Sequence, residues 1–365
     1  AGMAASFTMV VSGTIVNVAV PDVMGAFGVG LDQAQLMTSA FNIAMVTSQL
    51  LSAWVVSAFG QRGGFLLMSV VFVIGSLIGA ISQDFNMIVF GRVLQGVAAG
   101  VIQPLVMVIA FQVFPVERRG YAMAIYSMGV FLAVAVGPIV GGIAIELFNW
   151  RYIFWAPLPI VGLASLMAWV FVPSVRNKEQ APFDWPGYVL LVVCVYCLIT
   201  GLTEGVREGW TSSYILGLFG GGLLSGAVLI LTQMQDRPTL IDVSLFEHKQ
   251  FAMTALIAFV FGVGNFGTGY GVPVFAQLVQ GMTPLDAALV MLPSALLVVA
   301  ALPFTGKLAD TIPPHIGIMI GLVLFAAGTA PMSGADVNTP FLMIMTYFII
   351  SRFGMSFTNP FIMNT

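Results

Sequence analysis

Stretches of about twenty apolar residues, each closed by a short polar interval and then begun again, run the whole length of this sequence. No other feature limits its fold so tightly. A bilayer core roughly 30 Å thick takes about 20 residues of helix to cross. In lipid the backbone polar groups have to be satisfied within the crossing segment, so each run reads as a spanning helix. There are twelve runs, at 3–24, 34–57, 64–82, 87–111, 121–145, 152–172, 186–203, 213–233, 251–276, 285–305, 316–333 and 341–363. Composition closes off a water-soluble alternative, because 59% of the residues are hydrophobic and only 7% charged, against roughly 25% charged in a soluble domain. The chain reads as an all-α polytopic membrane protein. Its formal net charge of −3 carries no message about nucleic acid, and no nucleic-acid partner is expected.

The position of the charges matters more than their sum. Lys and Arg gather in short cytoplasmic loops. With the amino terminus inside, the inner loops hold Arg62, Arg118, Arg119, Arg176, Lys178, Arg237, Lys249 and Lys307, and the outer loops hold only Arg151 and Arg207. This bias predicts a cytoplasmic amino terminus in a cytoplasmic (inner) membrane, and it supports the helix count, since one missed helix would scramble it. The first run has no basic flank and reads as a spanning helix rather than a signal peptide. The longest polar segments, 173–186 and 233–250, divide the chain into a six-helix bundle (1–172), two inserted helices with their linkers (173–250), and four helices of a second bundle (251–365). A weak internal repeat relates the two bundles. The second helices end in Trp54-Val-Val-Ser57-Ala-Phe-Gly60-Gln-Arg62 and in Gly306-Lys307-Leu308-Ala309-Asp310, and each fourth helix buries an arginine, Arg92 or Arg352. A complete second unit needs two more helices, so the chain is expected to hold 12 of 14. Parallel repeats of this kind place a substrate site near the midplane.

Two stretches stand out inside the helices. In the fifth run Gly129, Gly137 and Gly141 share one face, with Pro138 and Gly142 beside them. Small residues four apart let a second helix approach closely, and a proline favours a bend, so the stretch reads as a tight contact and as a pivot. In the fourth run Arg92, Gln95, Gly96, Ala99 and Gln103 fall on one face. An arginine at membrane depth costs a few kcal/mol, about 2.5–3.5 on insertion scales, and normally faces a partner or a wet cavity. Snorkelling to the outer interface is the alternative.

The first-run sequence Thr14-Ile15-Val16-Asn17-Val18-Ala19-Val20-Pro21 resembles a signature of the fourteen-helix drug:proton antiporter branch of the major facilitator superfamily. Gly129 to Gly142 resembles that superfamily's fifth-helix antiporter motif, and Arg92-x-x-Gln95-Gly96 resembles its fourth-helix motif. Trp150-Arg151-Tyr152-Ile153-Phe154-Trp155 with Pro159-Ile160-Val161-Gly162, then Gly201-Leu202-Thr203-Glu204-Gly205 with Trp210, and Leu245-Phe246 before Phe251 follow in the branch's order. The resemblance implies a fold of two pseudo-symmetric six-helix bundles plus two inserted helices. It also implies a secondary active exporter of amphiphilic or hydrophobic molecules, working by alternating access and drawing on protons. Its partners would be the substrate, protons, membrane lipids and a periplasmic adaptor.

The departures bear on coupling and substrate. Ser12 stands where the branch usually has an aspartate, and Ser57 and Ala58 replace the acidic and basic part of the first inner-loop motif, leaving Gly60 and Arg62. No acid lies deep in a run, so the proton-coupling candidates are Glu146, Asp22 and Arg92. A cavity without buried acid attracts cations poorly, which favours a neutral or anionic amphiphile such as a lipid or fatty acid, with Arg92 as its fixed charge. The other cavity candidates are Asn17, Gln95, Gln103, Asn265, Gln277 and Asn359, and the inner-gate candidates are Gly60, Arg62, Gly306 and Asp310. An uncoupled or flippase-like transporter of the same fold is the nearer alternative, and a membrane-embedded enzyme or receptor the more distant one. No Walker loop, metal-ligand cluster or G-x-S-x-G appears, so neither a metal nor a cofactor is expected. Cys194 and Cys197 lie inside an apolar run, where thiols behave as small hydrophobes.

Overall fold

The computed structural model describes residues 2–115, 118–172, 183–234, 240, 243–281 and 284–363. The linker residues Arg176, Lys178 and Arg237 fall outside this set, as do the side chains of Pro138 and Gln277. Among the described residues all regular structure is helical. Eight helices are long and apolar enough to cross a membrane, or nine when the first bent pair counts as one span.

That bent pair departs from the single helix expected over 3–24. α1 (Gly2–Ile15) gives way to a 3₁₀ turn at Val16–Val18, and α2 (Val20–Phe27) leaves it at 59°. Pro21 supplies the cause, because it has no N–H and its ring presses on the carbonyl four residues back, that of Asn17. α3 (Leu31–Ser48) runs on through Gln49 and Leu50, both at right-handed helical angles, into α4 (Leu51–Ala80). Within α4, Gly60 has φ 73° and ψ 169°, a combination essentially reserved for glycine. The second crossing therefore stops at that residue and the third begins just after it, so Gly60 is the whole turn between them.

α5 (Phe85–Val113) carries Pro104 within it, and α6 (Arg119–Leu147) follows. The short α7 (Tyr152–Trp155) and α8 (Leu158–Phe171) make the sixth crossing. α9 (Trp185–Glu208) and α10 (Ser213–Gln233) are the inserted pair. α11 (Lys249–Leu278), α12 (Pro284–Ala309), α13 (Pro314–Thr329) and α14 (Phe341–Met363) complete the chain.

Packing divides the chain into two compact units, 1–109 with 136–244 and 110–135 with 245–365. α6 therefore belongs to both, its first part to the second unit and its remainder to the first. In the first unit α8 lies against α1 and α4 and buries Val161, Ala164 and Ala168. The α9–α10 pair packs on itself and on α3. Cys194 and Cys197 face Gly226 and Gly222 of α10, where they fill space as small apolar groups. An aromatic cluster anchors the pair, with Trp54 5.4 Å from Trp185 and 5.7 Å from Phe183, centroid to centroid. Asp184 caps α9 by accepting from the Gly187 N–H (2.9 Å), and Gln233 at the end of α10 donates to the same carboxylate (2.6 Å). In the second unit α14 packs against α13 and α12, and Thr305 of α12 donates to the Ser356 carbonyl (3.0 Å).

Candidate functional site

The break in the first crossing is where the residues of interest converge. Ser12, two turns before Pro21, meets Arg92 of α5. Arg92 Nη1 donates to the Ser12 carbonyl (2.9 Å), to Ser12 Oγ (3.3 Å) and to Gln95 Oε1 (2.8 Å). Its Nε donates to the Met37 carbonyl of α3 (3.2 Å), and its guanidinium lies 4.2 Å from the Phe41 ring centre. Gln95 in turn donates through Nε2 to Ser76 Oγ of α4 (2.8 Å). The expected polar face of α5 thus exists, with Arg92, Gln95, Gly96 and Ala99 all buried, and it is turned toward α1, α3 and α4. Gly96 is what lets α3 come so close, because a Cβ there would strike the Phe41 carbonyl.

Arg92 is 1% exposed, so it reaches neither the outer interface nor an open chamber. All its hydrogen-bond partners are neutral, and Nη2 is buried with no partner at all. A charge-assisted hydrogen bond is worth about 1.5–3 kcal/mol net, and a desolvated cation over an aromatic ring about 2 kcal/mol. Several such contacts suffice to hold a guanidinium at a depth that would otherwise expel it.

The other side of the same break meets α6. A Cβ on Gly137 would fall on Thr14 Oγ1, and one on Gly141 would sit 2.9 Å from Ile15 Cγ1 and 3.0 Å from the Ile15 carbonyl. These two glycines therefore press α6 against the first crossing at the point where its helix gives out, within the first unit. Gly129 is buried, while Gly142 faces open space. Asn17, in the 3₁₀ turn, is exposed and accepts from Thr38 Oγ1 (3.2 Å). Gln103 and Asn359 are half-buried. Asp22 and Glu146 are exposed and hydrogen-bond neither arginine of the helix interior.

The second unit repeats the device. Arg352 of α14 donates through Nη1 to Asn265 Oδ1 (2.5 Å) and to Met355 Sδ (3.1 Å), and through Nη2 to Thr268 Oγ1 (3.2 Å) and the Asn265 carbonyl (3.4 Å). It lies 4.5 Å from the Phe348 ring centre, and its Nε is buried without a partner. The sequence marks Arg352 as a repeat of Arg92 and Asn265 as a cavity residue, but nothing in it joins them. Thr268 carries no signal of its own.

Asp310, just past the end of α12, accepts from the Tyr121 N–H in the first turn of α6 (3.2 Å), with the Lys307 ammonium 5.8 Å from the Tyr121 ring centre. This is a carboxylate at a helix N-terminus, where the dipole favours it. Gly306 is buried, and Arg62 is half-buried with its Nε unpartnered.

Sequence and fold comparisons place these features among known proteins. The family described as the Major Facilitator Superfamily matches residues 2–365. The MFS-type transporter YhcA of Bacillus subtilis is 29% identical over 354 residues, covering 97% of this chain and 66% of the relative. The multidrug export protein EmrB of Haemophilus influenzae is 29% identical over 325 residues, 88% of this chain and 64% of that protein. The chain thus spans slightly less than two thirds of the length of either. Among solved structures, the MFS proton:xylose symporter XylE superposes with a TM-score of 0.67 over 100% of this chain and 79% of its own, at 13% identity.

Proposed function

The chain belongs to the Major Facilitator Superfamily, and from that premise we propose that this transporter is a secondary active exporter of amphiphilic or hydrophobic small molecules, neutral or anionic in preference to cationic. It works by alternating access in the cytoplasmic membrane, with its amino terminus inside. The observation that carries the substrate preference is the neutral nest around Arg92. Every group that hydrogen-bonds this buried guanidinium is a carbonyl, a hydroxyl or an amide, so its positive charge stays unneutralised inside the first unit and its field favours an anionic over a cationic amphiphile without direct contact. The export direction rests on similarity to EmrB, whose name is multidrug export protein. A potential of 100 mV supplies about 2.3 kcal/mol per charge moved, so a proton gradient is an adequate source of energy.

Proteoliposomes holding the purified transporter test this reading. Export of an anionic amphiphile should rise with an imposed pH gradient, and Arg92→Ala should lose more anion than cation transport. Intact anion transport in the variant together with lost cation transport sinks the proposed preference. Ser12, standing where a carboxylate would pair with Arg92, favours a second reading: an uncoupled, flippase-like transporter of the same fold. That reading holds if lipid-analogue movement proceeds equally with and without the gradient.

A further inference from the structure

Given the amphiphile transport proposed above, on which this step rests, we infer that Thr38 positions the Asn17 side chain as a hydrogen-bond donor to substrate. The first crossing then selects amphiphiles whose headgroup carries a carbonyl-type oxygen: an ester, an amide or a carboxylate. Asn17 stands in the 3₁₀ turn at Val16–Val18, at the break of the bent first span. Pro21 has no N–H to return to the Asn17 carbonyl, four residues back. The Asn17 side chain is exposed. Broken helix at membrane depth stands only where it is buried in protein or lines a water-filled cavity, and an exposed amide at the break marks the second case.

The hydrogen bond to Thr38 sets which end of that amide is presented. A threonine within a helix commonly returns its hydroxyl proton to a carbonyl of its own preceding turn. Thr8 and Thr14 do so in α1, and Thr47 does so in α3. Thr38 does not. Its Oγ1 donates across to Asn17 Oδ1 (3.2 Å). A hydroxyl has one proton to give, so this bond holds the amide oxygen toward α3. The NH2 group, with two donors, bonds nothing among the described residues. An unmatched N–H takes an oxygen acceptor, and a neutral amide holds no charge with which to attract an ammonium.

Arg92 joins the same two helices, bonding the Ser12 carbonyl of α1 and the Met37 carbonyl of α3, next to Thr38. That joint is dry, at 1% exposure of the arginine, and substrate does not touch it. The bond between Thr38 and Asn17 is its exposed counterpart. The two tasks are therefore separable: Arg92 acts through its field on charge, and Asn17 acts by contact on an oxygen atom.

Binding to the full-length transporter in lipid nanodiscs tests the assignment. Two uncharged probes, monolauroyl glycerol and its ether analogue dodecyl glycerol, differ by one carbonyl. Laurate against dodecyltrimethylammonium, in the same samples, reads the charge preference separately. The wild type should bind the ester about fivefold more tightly than the ether, as one hydrogen bond supplies. In Asn17→Leu that preference should disappear while affinity for the ether is kept. Thr38→Val keeps the shape and loses the proton, so it should lower the ratio part of the way, and Thr38→Ser should restore it. A merely structural role for Thr38 would weaken both probes alike and leave the ratio where it was. An unchanged ratio in either Asn17→Leu or Thr38→Val overturns the inference. Equal binding of ester and ether by the wild type, with laurate still preferred over the cation, overturns it alone, whereas failure to bind any of the four probes brings down the transport reading as well.

Discussion

Arg92 and Arg352 hold the same place in the order of helices, yet the two units accommodate them differently. Arg92 bonds backbone carbonyls of two other helices, and through Gln95 it reaches a fourth, so one side chain braces α1, α3, α4 and α5 together. Arg352 is tethered to a single other helix, α11, and otherwise leans on Met355 and Phe348 of its own. Burial explains the contrast. At 1% exposure Arg92 depends on protein acceptors for everything hydration would supply, whereas Arg352 is only half-buried and keeps some access to its surroundings. The lesson is that the same sequence signal, an arginine in a fourth crossing, marks a cross-brace in one unit and a tether in the other. What the two share is that neither is paired with a carboxylate among the described residues.

The sharpest way to break this comparison is to remove each arginine. Arg92→Ala leaves Gln95 Oε1 without its donor in a dry interior, at about 1–3 kcal/mol, removes the charge-assisted bonds to the Ser12 and Met37 carbonyls, and opens a cavity in a packed interior. It should cause the largest loss of thermal stability in detergent, with anion transport falling further than cation transport. Arg352→Ala frees groups that are only partly buried, so its thermal shift should be clearly smaller. Equal shifts in the two variants would mean that burial is not what separates the two sites.

Supplying the missing carboxylate sharpens it further. Ser12 Oγ lies 3.3 Å from Arg92 Nη1, so the carboxylate of Ser12→Asp arrives within ion-pair distance. At an effective dielectric near 20, two unit charges about 4 Å apart attract by about 4 kcal/mol, enough to neutralise the nest. Preference should then swing toward cationic amphiphiles, and transport should gain a dependence on pH. Asn265→Asp makes the same change beside Arg352, and its effect should be weaker because that site is better screened. An unchanged cation-to-anion ratio in both variants would show that substrate does not sense either guanidinium.

The extent to which these sites could be read in the sequence follows from which atoms build them. Apolar run length reports crossings directly, so the all-helical, many-crossing plan was legible, and so was the polar face of α5. Its direction was not, because Arg92 is held largely by the carbonyls of Ser12 and Met37, and every residue carries a carbonyl. The bend in the first crossing lay in plain view in Pro21, but a membrane helix can also absorb a proline without breaking. Gly60 stands among the inner-gate candidates, and its positive φ, which makes it the turn itself, has no signature beyond being glycine. Gly137 and Gly141 announced a close approach without naming its partner. That partner, Thr14 and Ile15, is a stretch singled out for a different reason.

α6 offers a finer comparison, because its two ends serve different units by different means. In the first unit it is held by shape. Gly137→Ala would push a methyl group into Thr14, and overpacking of this kind costs about 1–3 kcal/mol, which should appear as a lower melting temperature. Gly142→Ala, which meets open space, should leave the melting temperature unchanged or slightly raised. A loss in Gly142→Ala as large as in Gly137→Ala would show that glycine is needed for chain flexibility rather than for contact.

At its other end α6 is held by charge, through the Asp310 carboxylate and the Tyr121 N–H. Asp310→Asn keeps an oxygen able to accept that hydrogen bond and removes the negative charge, whose interaction with the helix terminus is worth about 0.3–1 kcal/mol. The expected stability loss is therefore the smallest of those predicted here, and it should shrink as salt is raised, since an interaction near the surface is screened. A transport defect far larger than this stability loss would give Asp310 a part in the conformational cycle beyond capping the helix. A stability loss that does not respond to salt would mean that hydrogen-bond geometry, not charge, holds this end of α6, and the contrast between its two ends would disappear.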